Sequence, residues 1–255
     1  MKGRRVVITG AGRGIGRDMA LGFAREGATV VLTARTAPEL EALADEINDA
    51  GGSALPVCCD VTDPEQVARL HGTVAARLGG ADVLVNNAGV AGSHKFIDHP
   101  DDLWHRMLAV NLTGVYLVTK AFAPGMVAQE WGRIINIAST AAKTGGRYIA
   151  AYTASKHGVL GLTRALAVEL APHVTVNALC PAYVDTPMTE ATIANIVAKT
   201  GMALEEARAA LERDNLQNRL IQPEEITALA LHLAQDSSRG ITGQAINVDG
   251  GSVMW

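Results

Sequence analysis

The sequence predicts one doubly wound α/β domain built on a parallel sheet. Three observations carry this. Short β-branched runs alternate with longer stretches of helical period, the pattern of βαβ units. The runs are nearly continuously apolar instead of alternating, as strands become when helices cover both faces of a sheet. The first run also leads directly into a glycine-rich turn that opens a helix, Thr9-Gly10-Ala11-Gly12-Arg13-Gly14-Ile15-Gly16.

Taken in order, Arg5-Val6-Val7-Ile8 reads as the first strand, and Gly14 to Glu26 is an amphipathic helix. Ala28-Thr29-Val30-Val31-Leu32 is the second strand, followed by a helical pattern from Pro38 to Ala50. Ala54-Leu55-Pro56-Val57 is a weaker strand. The next helix begins near Asp63-Pro64, because proline is favoured at the first helical position. Val83-Leu84-Val85, Ile134-Ile135-Asn136-Ile137, Val174-Thr175-Val176 and Ala245-Ile246-Asn247-Val248 supply four further strands. No Pro/Ser-rich linker or charge block divides the chain, so residues 1–255 read as a single domain. The polar segment from Thr186 to about Asn218 is rich in Ala, Glu and Arg and reads as one or two helices. Such an insertion belongs at the carboxyl edge of the sheet, where ligands of these folds bind.

Composition excludes several classes. Hydrophobic residues make up 48% and charged residues 19%, which rules out a disordered chain. A net charge of −4 leaves no electrostatic footprint for nucleic acid or an anionic membrane. Lys2, Arg4 and Arg5 precede only Val6-Val7-Ile8, too short an apolar run for a signal peptide. Nothing approaches ~18 consecutive apolar residues, so no membrane span is expected. Cys58, Cys59 and Cys180 form neither a disulfide framework nor a metal-ligand spacing, which predicts reduced thiols and a cytoplasmic protein. His94, His99 and His105 do not share a helix face and are expected to be loop and surface residues, with no metal bound. Trp104 and Trp131 read as core or interface aromatics. Tyr148 is open to two readings, a wall of a substrate cleft or a packing residue.

The glycines let the backbone turn tightly and approach a pyrophosphate, while free N–H groups at the helix start favour the anion. The general GxGxxG pattern does not fit, since it would place glycine at Ile15; Thr-Gly-x-x-x-Gly-x-Gly does. This spelling resembles the short-chain dehydrogenase/reductase family, and the rest of the chain agrees in order. Asn86-Asn87-Ala88-Gly89 follows the fourth strand, Asn111 lies in the next helix, Ser139 ends the strand after it, and Tyr152 precedes Lys156 by four residues. Asp249-Gly250-Gly251 closes the resemblance, which covers nearly the whole chain. It implies a Rossmann-type fold, a catalytic set of Asn111, Ser139, Tyr152 and Lys156, and a nicotinamide dinucleotide. Cofactor contacts are implied at Gly10, Arg13, Gly14, Ile15, Gly16, Asp60, Val61, Asn87, Ala88, Gly89, Tyr152, Lys156, Pro181, Val184 and Thr186. Asp60 is equally readable as the cap of the next helix. One departure is Pro181-Ala182, where the family carries Pro-Gly; the added methyl is expected to narrow that loop.

The end of the second strand bears on the choice of cofactor. An acid there binds the ribose 2′-hydroxyl of NAD and repels a 2′-phosphate. This chain has Ala34 at that place and Arg35 beside it, and Arg13 can join Arg35 in clamping a phosphate. NADP(H) is therefore expected, with NAD(H) as the alternative.

Tyr152 and Lys156 lie on one face of a helix. A tyrosine of pKa ≈ 10 must fall by about three units to work near neutrality, which takes roughly 4 kcal/mol. One positive charge about 4 Å away supplies about that much at an effective dielectric of ~20. Lys156 is expected to do most of this, helped by the nicotinamide cation. Ser139 holds the substrate oxygen, and Tyr152 protonates it as hydride reaches carbon. The resemblance also gives Lys156 the nicotinamide ribose and Asn111 a relay water.

The expected activity is an NADP(H)-dependent carbonyl reductase. Three alternatives stand beside it: an NAD-dependent secondary-alcohol or 3-hydroxyacid dehydrogenase, a non-catalytic dinucleotide sensor, and a sugar-nucleotide epimerase. A sensor would be expected to lose Tyr152 or Lys156, and an epimerase to be longer. The segment Thr186–Asn218 and its continuation to Ile226 resemble both 3-oxoacyl-thioester or polyketide ketoreductases and 3-hydroxybutyrate dehydrogenases. A 3-oxoacyl substrate under a mobile lid follows as the expectation, with Met188, Ile193, Ile196 and Val197 either touching an acyl chain or packing the lid. Lys199 and Arg208 read as isolated cations. A homotetramer or dimer is implied, with Val253-Met254-Trp255 as a buried tail.

Overall fold

The computed structural model describes residues 1–255. Its strands are β1 (Arg5–Thr9), β2 (Thr29–Ala34), β3 (Ser53–Cys58), β4 (Val83–Asn86), β5 (Gly132–Ile137), β6 (Val174–Pro181) and β7 (Ala245–Val248). They form one seven-stranded sheet in the order β3-β2-β1-β4-β5-β6-β7, and every neighbouring pair is parallel. The order reverses between β1 and β4, which opens a crevice beyond their carboxyl ends where ligands of such sheets bind.

The helices are α1 (Gly14–Arg25), α2 (Ala37–Asp49), α3 (Pro64–Leu78), α4 (Asp101–Leu108), α5 (Gly114–Ala128), α6 (Ala150–Glu169), α7 (Pro187–Thr200), α8 (Leu204–Glu212) and α9 (Pro223–Leu233). Because side chains alternate along a strand, each strand feeds two cores. Val6, Ile8, Val30, Leu32, Val83 and Val85 pack with Phe23 of α1, Leu40 of α2 and Ile226 of α9. Val7, Val31 and Leu84, the residues between them, pack with Leu70 of α3 and with Phe122 and Met126 of α5. Continuous apolar strands are thus required by the layering.

Most predicted elements lie within a residue or two of where the pattern places them. β6 is longer than expected, because the polar Asn177 interrupts the apolar pattern after Val176 and the strand runs on past it. That side chain is buried and satisfied, donating to the Ile241 carbonyl at 2.8 Å and accepting from Gln244 N at 3.1 Å. The helix-capping alternative for Asp60 is overturned. Asp63 caps α3, its carboxylate accepting from Glu65 N and Gln66 N, whereas Asp60 closes a tight turn onto Thr62. The segment Thr186–Asn218 holds two helices, α7 and α8.

From Asp101 to Ala128 the chain is one continuous helix, α4 passing into α5 through a π-turn at Ala109–Thr113. The helix is 28 residues long and its most apolar stretch reaches a mean hydropathy of 1.2, matching a membrane span by length and composition. The same apolar content has a structural use here, since Val115, Val118, Phe122 and Met126 are buried in the core clusters. Trp131 is half-buried between the guanidinium groups of Arg4 and Arg133, at 3.6 and 4.3 Å from the ring centre.

The amino ends of β1 and β4 are tied by charge. Arg5 holds Asp82 through two side-chain bonds of 2.9 and 2.7 Å, and the Arg5 backbone N–H adds a third at 2.8 Å. Burial pushes the Asp82 carboxyl up, but these donors overcome it and hold it below the usual carboxylate range. Its folded-state pKa is depressed, so its contribution is present above the ordinary carboxylate range and lost as pH falls through the folded value. Asp82→Asn is expected to destabilise the fold by about 3 kcal/mol in urea unfolding at neutral pH, because it leaves Arg5 without its counter-charge. A loss below about 0.5 kcal/mol would show that the pair ties nothing.

Candidate active site

Thr9 ends β1, and its hydroxyl accepts from Asn87 N at 2.9 Å and Ala88 N at 3.0 Å. The Asn87 amide returns two bonds, to Thr9 O at 2.9 Å and Gly10 O at 3.1 Å. The glycine loop and the loop after β4 are therefore locked together across the crevice. Gly10 and Gly14 adopt φ of +66° and +56°, where a side chain is strained. At Gly16 a Cβ would stand 2.3 Å from the Gly10 carbonyl and 2.5 Å from the Asn87 amide, so only glycine fits. Ile15, half-buried, packs onto the core beneath. Bare backbone at the start of α1, beside exposed Arg13, is a cradle that fits the pyrophosphate of a dinucleotide.

The second half of the site lies beyond β5. Ser139 falls two residues after the strand rather than at its end, and its Oγ accepts from Ala141 N at 3.1 Å to start a short turn. Tyr152 and Lys156 sit on α6, one turn apart on one face. Lys156 is 5% exposed; its Nζ donates to the Ile137 carbonyl at 2.7 Å and lies 5.8 Å from the centre of the Tyr152 ring. Burial pulls the Lys156 ammonium down to about 8.

The expected lowering of Tyr152 by Lys156 is not what the structure holds. Burial pushes the Tyr152 phenol above its ordinary value, against the pull of the neighbouring Ser139 hydroxyl, and Tyr183 and Cys180 nearby push the same way as burial. The physical reason is that Lys156 is itself desolvated and spends its bond on a backbone carbonyl. It does not offset the loss of water around the phenol.

Asn111 is fully buried, at the middle of the π-turn. Its Oδ1 accepts from Val90 N at 2.8 Å, and its Nδ2 donates to Val90 O at 3.0 Å and Ser155 Oγ at 3.2 Å. A Cβ on Gly89 would be 3.4 Å from Asn111 Oδ1 and 3.8 Å from Lys156 Nζ, so Gly89 lies between the two. A π-turn widens the helix by one residue and often marks a functional position. Ser155 and Val90, which hold Asn111, were not anticipated. Neither has a sequence signal, because their partners are far along the chain.

At the crevice's other end, Arg35 follows β2 and is exposed, as is Arg13. Val61 turns its side chain into the core against Gly114, leaving only its backbone for a ligand. Pro181 ends β6, and Val184 is buried and bridged to Ile221. Thr186 directly precedes α7, its hydroxyl donating to the Val184 carbonyl at 3.3 Å and its methyl lying against Gly14. Ala182 has no positive φ and packs on the core, so the missing glycine costs the loop nothing in backbone strain.

The apolar residues of α7 fall into a packed set and one exposed residue. Ile193 is buried against Ala207, Leu211 and Leu220, with Ile196 and Val197 packed around them. Met188 alone of the four is largely exposed. Arg208 is not isolated: it pairs with Glu190 at 2.7 Å, Glu212 at 3.1 Å and Asp185 at 3.5 Å. Lys199 donates to the Ser93 carbonyl at 3.1 Å, and Asn195 to Ser93 Oγ at 3.1 Å. Tyr148 is 55% exposed with φ of +67°, and its carbonyl accepts from His94 N at 2.7 Å, so it is not a packing residue. The buried tail is overturned within the single chain: Val253 is buried, but Met254 and Trp255 are 78% and 75% exposed. Backbone bonds to Asp249, Asn247 and Lys143 fix the tail and leave its last side chains outward.

Residues 4–196 match the short chain dehydrogenase family. A D-beta-hydroxybutyrate dehydrogenase of Rhizobium meliloti is 39% identical over 252 residues, covering 97% of this chain and 98% of the relative. A 3-oxoacyl-acyl-carrier-protein reductase of Thermotoga maritima is 38% identical over 256 residues, covering 100% and 99%. Among solved structures, a variant actinorhodin polyketide ketoreductase with NADPH superposes with a TM-score of 0.95 at 38% identity, covering 99% of this chain and 98% of that one.

Proposed function

Since this chain belongs to the short chain dehydrogenase family, we propose that it is an NADP(H)-dependent carbonyl reductase acting on a 3-oxoacyl (β-keto) compound. The observation that carries the proposal is the convergence of Ser139, Tyr152 and Lys156 beside the glycine cradle. NADPH in the similar actinorhodin ketoreductase supports the phosphorylated cofactor, as do two exposed arginines, Arg13 and Arg35, neither in an ion pair. The ketoreductase and hydroxybutyrate dehydrogenase relatives support a β-keto substrate.

When bound, NADPH supplies a hydride to the carbonyl carbon. Ser139 donates a hydrogen bond to the substrate oxygen and holds it against the Tyr152 hydroxyl. The raised pKa of Tyr152 keeps it protonated across neutral pH, the form that reduction consumes. As the phenol gives up its proton, the buried Lys156 ammonium stabilises the tyrosinate left behind, and a low dielectric makes that charge effective. Asn111, fixed by Val90 and Ser155, stands where a relay water restores the proton. Met188, the exposed apolar residue of α7, is the lid residue free to meet an acyl chain, and closure of the lid excludes water.

A second copy of the chain completes the assembly, as a homotetramer or dimer. Exposed Met254 and Trp255, with Tyr116 and Val168 on α5 and α6, support this, since large apolar side chains in water mark interfaces. Three free thiols suit a cytoplasmic location.

Tyr152→Phe is expected to lower the turnover rate at least a hundredfold while cofactor affinity stays nearly unchanged, on the usual scale for a lost general acid. Retention of a tenth of the rate would remove Tyr152 from the mechanism. For reduction, kcat/KM is expected to fall as pH rises through about 8, where Lys156 loses its charge in the free enzyme. A profile flat to pH 10 would assign Lys156 no electrostatic part. Comparing a 3-oxoacyl thioester, its free acid and a simple cyclic ketone tests the substrate: the thioester is expected to give the highest kcat/KM. A win for the cyclic ketone would leave only a general carbonyl reductase. Light scattering at micromolar concentration should give a mass well above the 26.7 kDa of one chain. A monomer there ends the assembly proposal.

A further inference from the structure

Beside the glycine loop lies an acid that none of the chemistry above uses. Glu39, in the first turn of α2, lays its side chain over Gly12: a Cβ there would be 2.6 Å from Glu39 Oε2 and 3.2 Å from Glu39 Cβ. Gly12 adjoins Arg13, and Arg35 stands just before α2. All three charged side chains are exposed, and neither arginine bonds to the carboxylate. The nearby ion pair instead joins Arg17 to Glu46. An acid in the first turn of a helix is favoured by the helix dipole. The dipole does not account for the carboxylate resting on the loop that the dinucleotide must approach.

We propose that Glu39 is a specificity-determining residue, whose charge opposes Arg13 and Arg35 and narrows the preference for NADP(H) over NAD(H). This rests on the cofactor assignment above. A phosphate monoester carries −1.5 to −2 charges near neutrality. One carboxylate within several ångströms of it, in water-like surroundings, weakens binding about three- to tenfold. NAD(H) lacks that phosphate, and a carboxylate is a good acceptor for its ribose hydroxyls. With Ala34 in place of the usual acid at the end of β2, Glu39 is the carboxylate that lies in contact distance of Gly12. Two cations against one anion give a preference for NADP(H) that is real but limited.

The test is the dissociation constants of NADPH and NADH, read by isothermal titration calorimetry in the absence of substrate, for the wild type, Glu39→Gln and Arg35→Ala. Glutamine keeps the size and the packing on Gly12 and removes only the charge. Glu39→Gln is expected to tighten NADPH three- to tenfold and leave NADH unchanged or weaker, and the gain should shrink in 0.5 M salt as screening grows. An unchanged ratio of the two constants, an equal change in both, or weaker NADPH binding overturns the proposal. The Arg35→Ala arm reads the cofactor assignment separately. Selective loss of NADPH upholds the phosphate pocket whatever Glu39 does, and an equal loss of both cofactors shows that the pocket itself is misassigned.

Discussion

The site depends first on the lock between Thr9 and Asn87. Two backbone N–H groups converge on one threonine hydroxyl, and one asparagine amide spans two carbonyls of the opposing loop. Each such bond contributes only about 1 kcal/mol net, yet a broken one leaves a buried group unpaired, at a larger penalty. The lock sits at the reversal of strand order, the only place where two loops diverge from adjacent parallel strands. It brings Gly16 against the Gly10 carbonyl, and that approach dictates the glycine spelling. The order of causes runs from sheet topology to lock, and from lock to glycines.

A second polar chain carries the same logic into the protein. The Asn86 amide donates to Thr119 Oγ1 at 2.9 Å and to Asn136 Oδ1 at 2.8 Å, and Asn136 donates to Thr163 Oγ1 at 2.9 Å. All four residues are buried, so β4, β5, α5 and α6 have their relative heights set by hydrogen bonds that tolerate little slip. Separately, Asn111 in the π-turn before α5 bonds to Val90 and to Ser155 of α6. The face of α6 that carries Tyr152 and Lys156 is thereby registered against β4 and β5 through directional bonds, with apolar packing filling the space between.

What was legible in the sequence was what local periodicity and local backbone geometry encode. Val6-Val7-Ile8 reads as a two-sided strand because its neighbours must feed both cores. The glycine loop is legible because no other residue suits its dihedral angles and contacts. The illegible part was tertiary. Pro64 marks Asp63 as the cap, but that Asp60 instead closes a turn onto Thr62 shows only in the folded chain. The direction of the Tyr152 shift depends on burial, which a helical spacing of four does not report. Ser155 and Glu39 matter through partners 44 and 27 positions away, at Asn111 and Gly12. The outward Trp255 follows from where three backbone bonds place the tail, against what hydropathy alone predicts.

The lid shows how a rigid chemistry is joined to a variable substrate surface. Its inner side is a small core of its own, Ile193 with Ala207, Leu211 and Leu220, which packs α7 and α8 together as one unit. Arg208 ties three acids together, Asp185, Glu190 and Glu212, and the rim is fastened through Ser93 by Asn195 and Lys199. Ser93 is followed by His94, whose N–H holds the Tyr148 carbonyl four residues before Tyr152. One short segment therefore joins the lid to the loop that leads into the catalytic helix. The bonds of Ser93 to α7 and of His94 to Tyr148 link α7 to the approach to α6, while the Thr9–Asn87 lock holds the two crevice loops together. The exposed Met188 side chain takes part in neither set of bonds, so a substitution there leaves both in place.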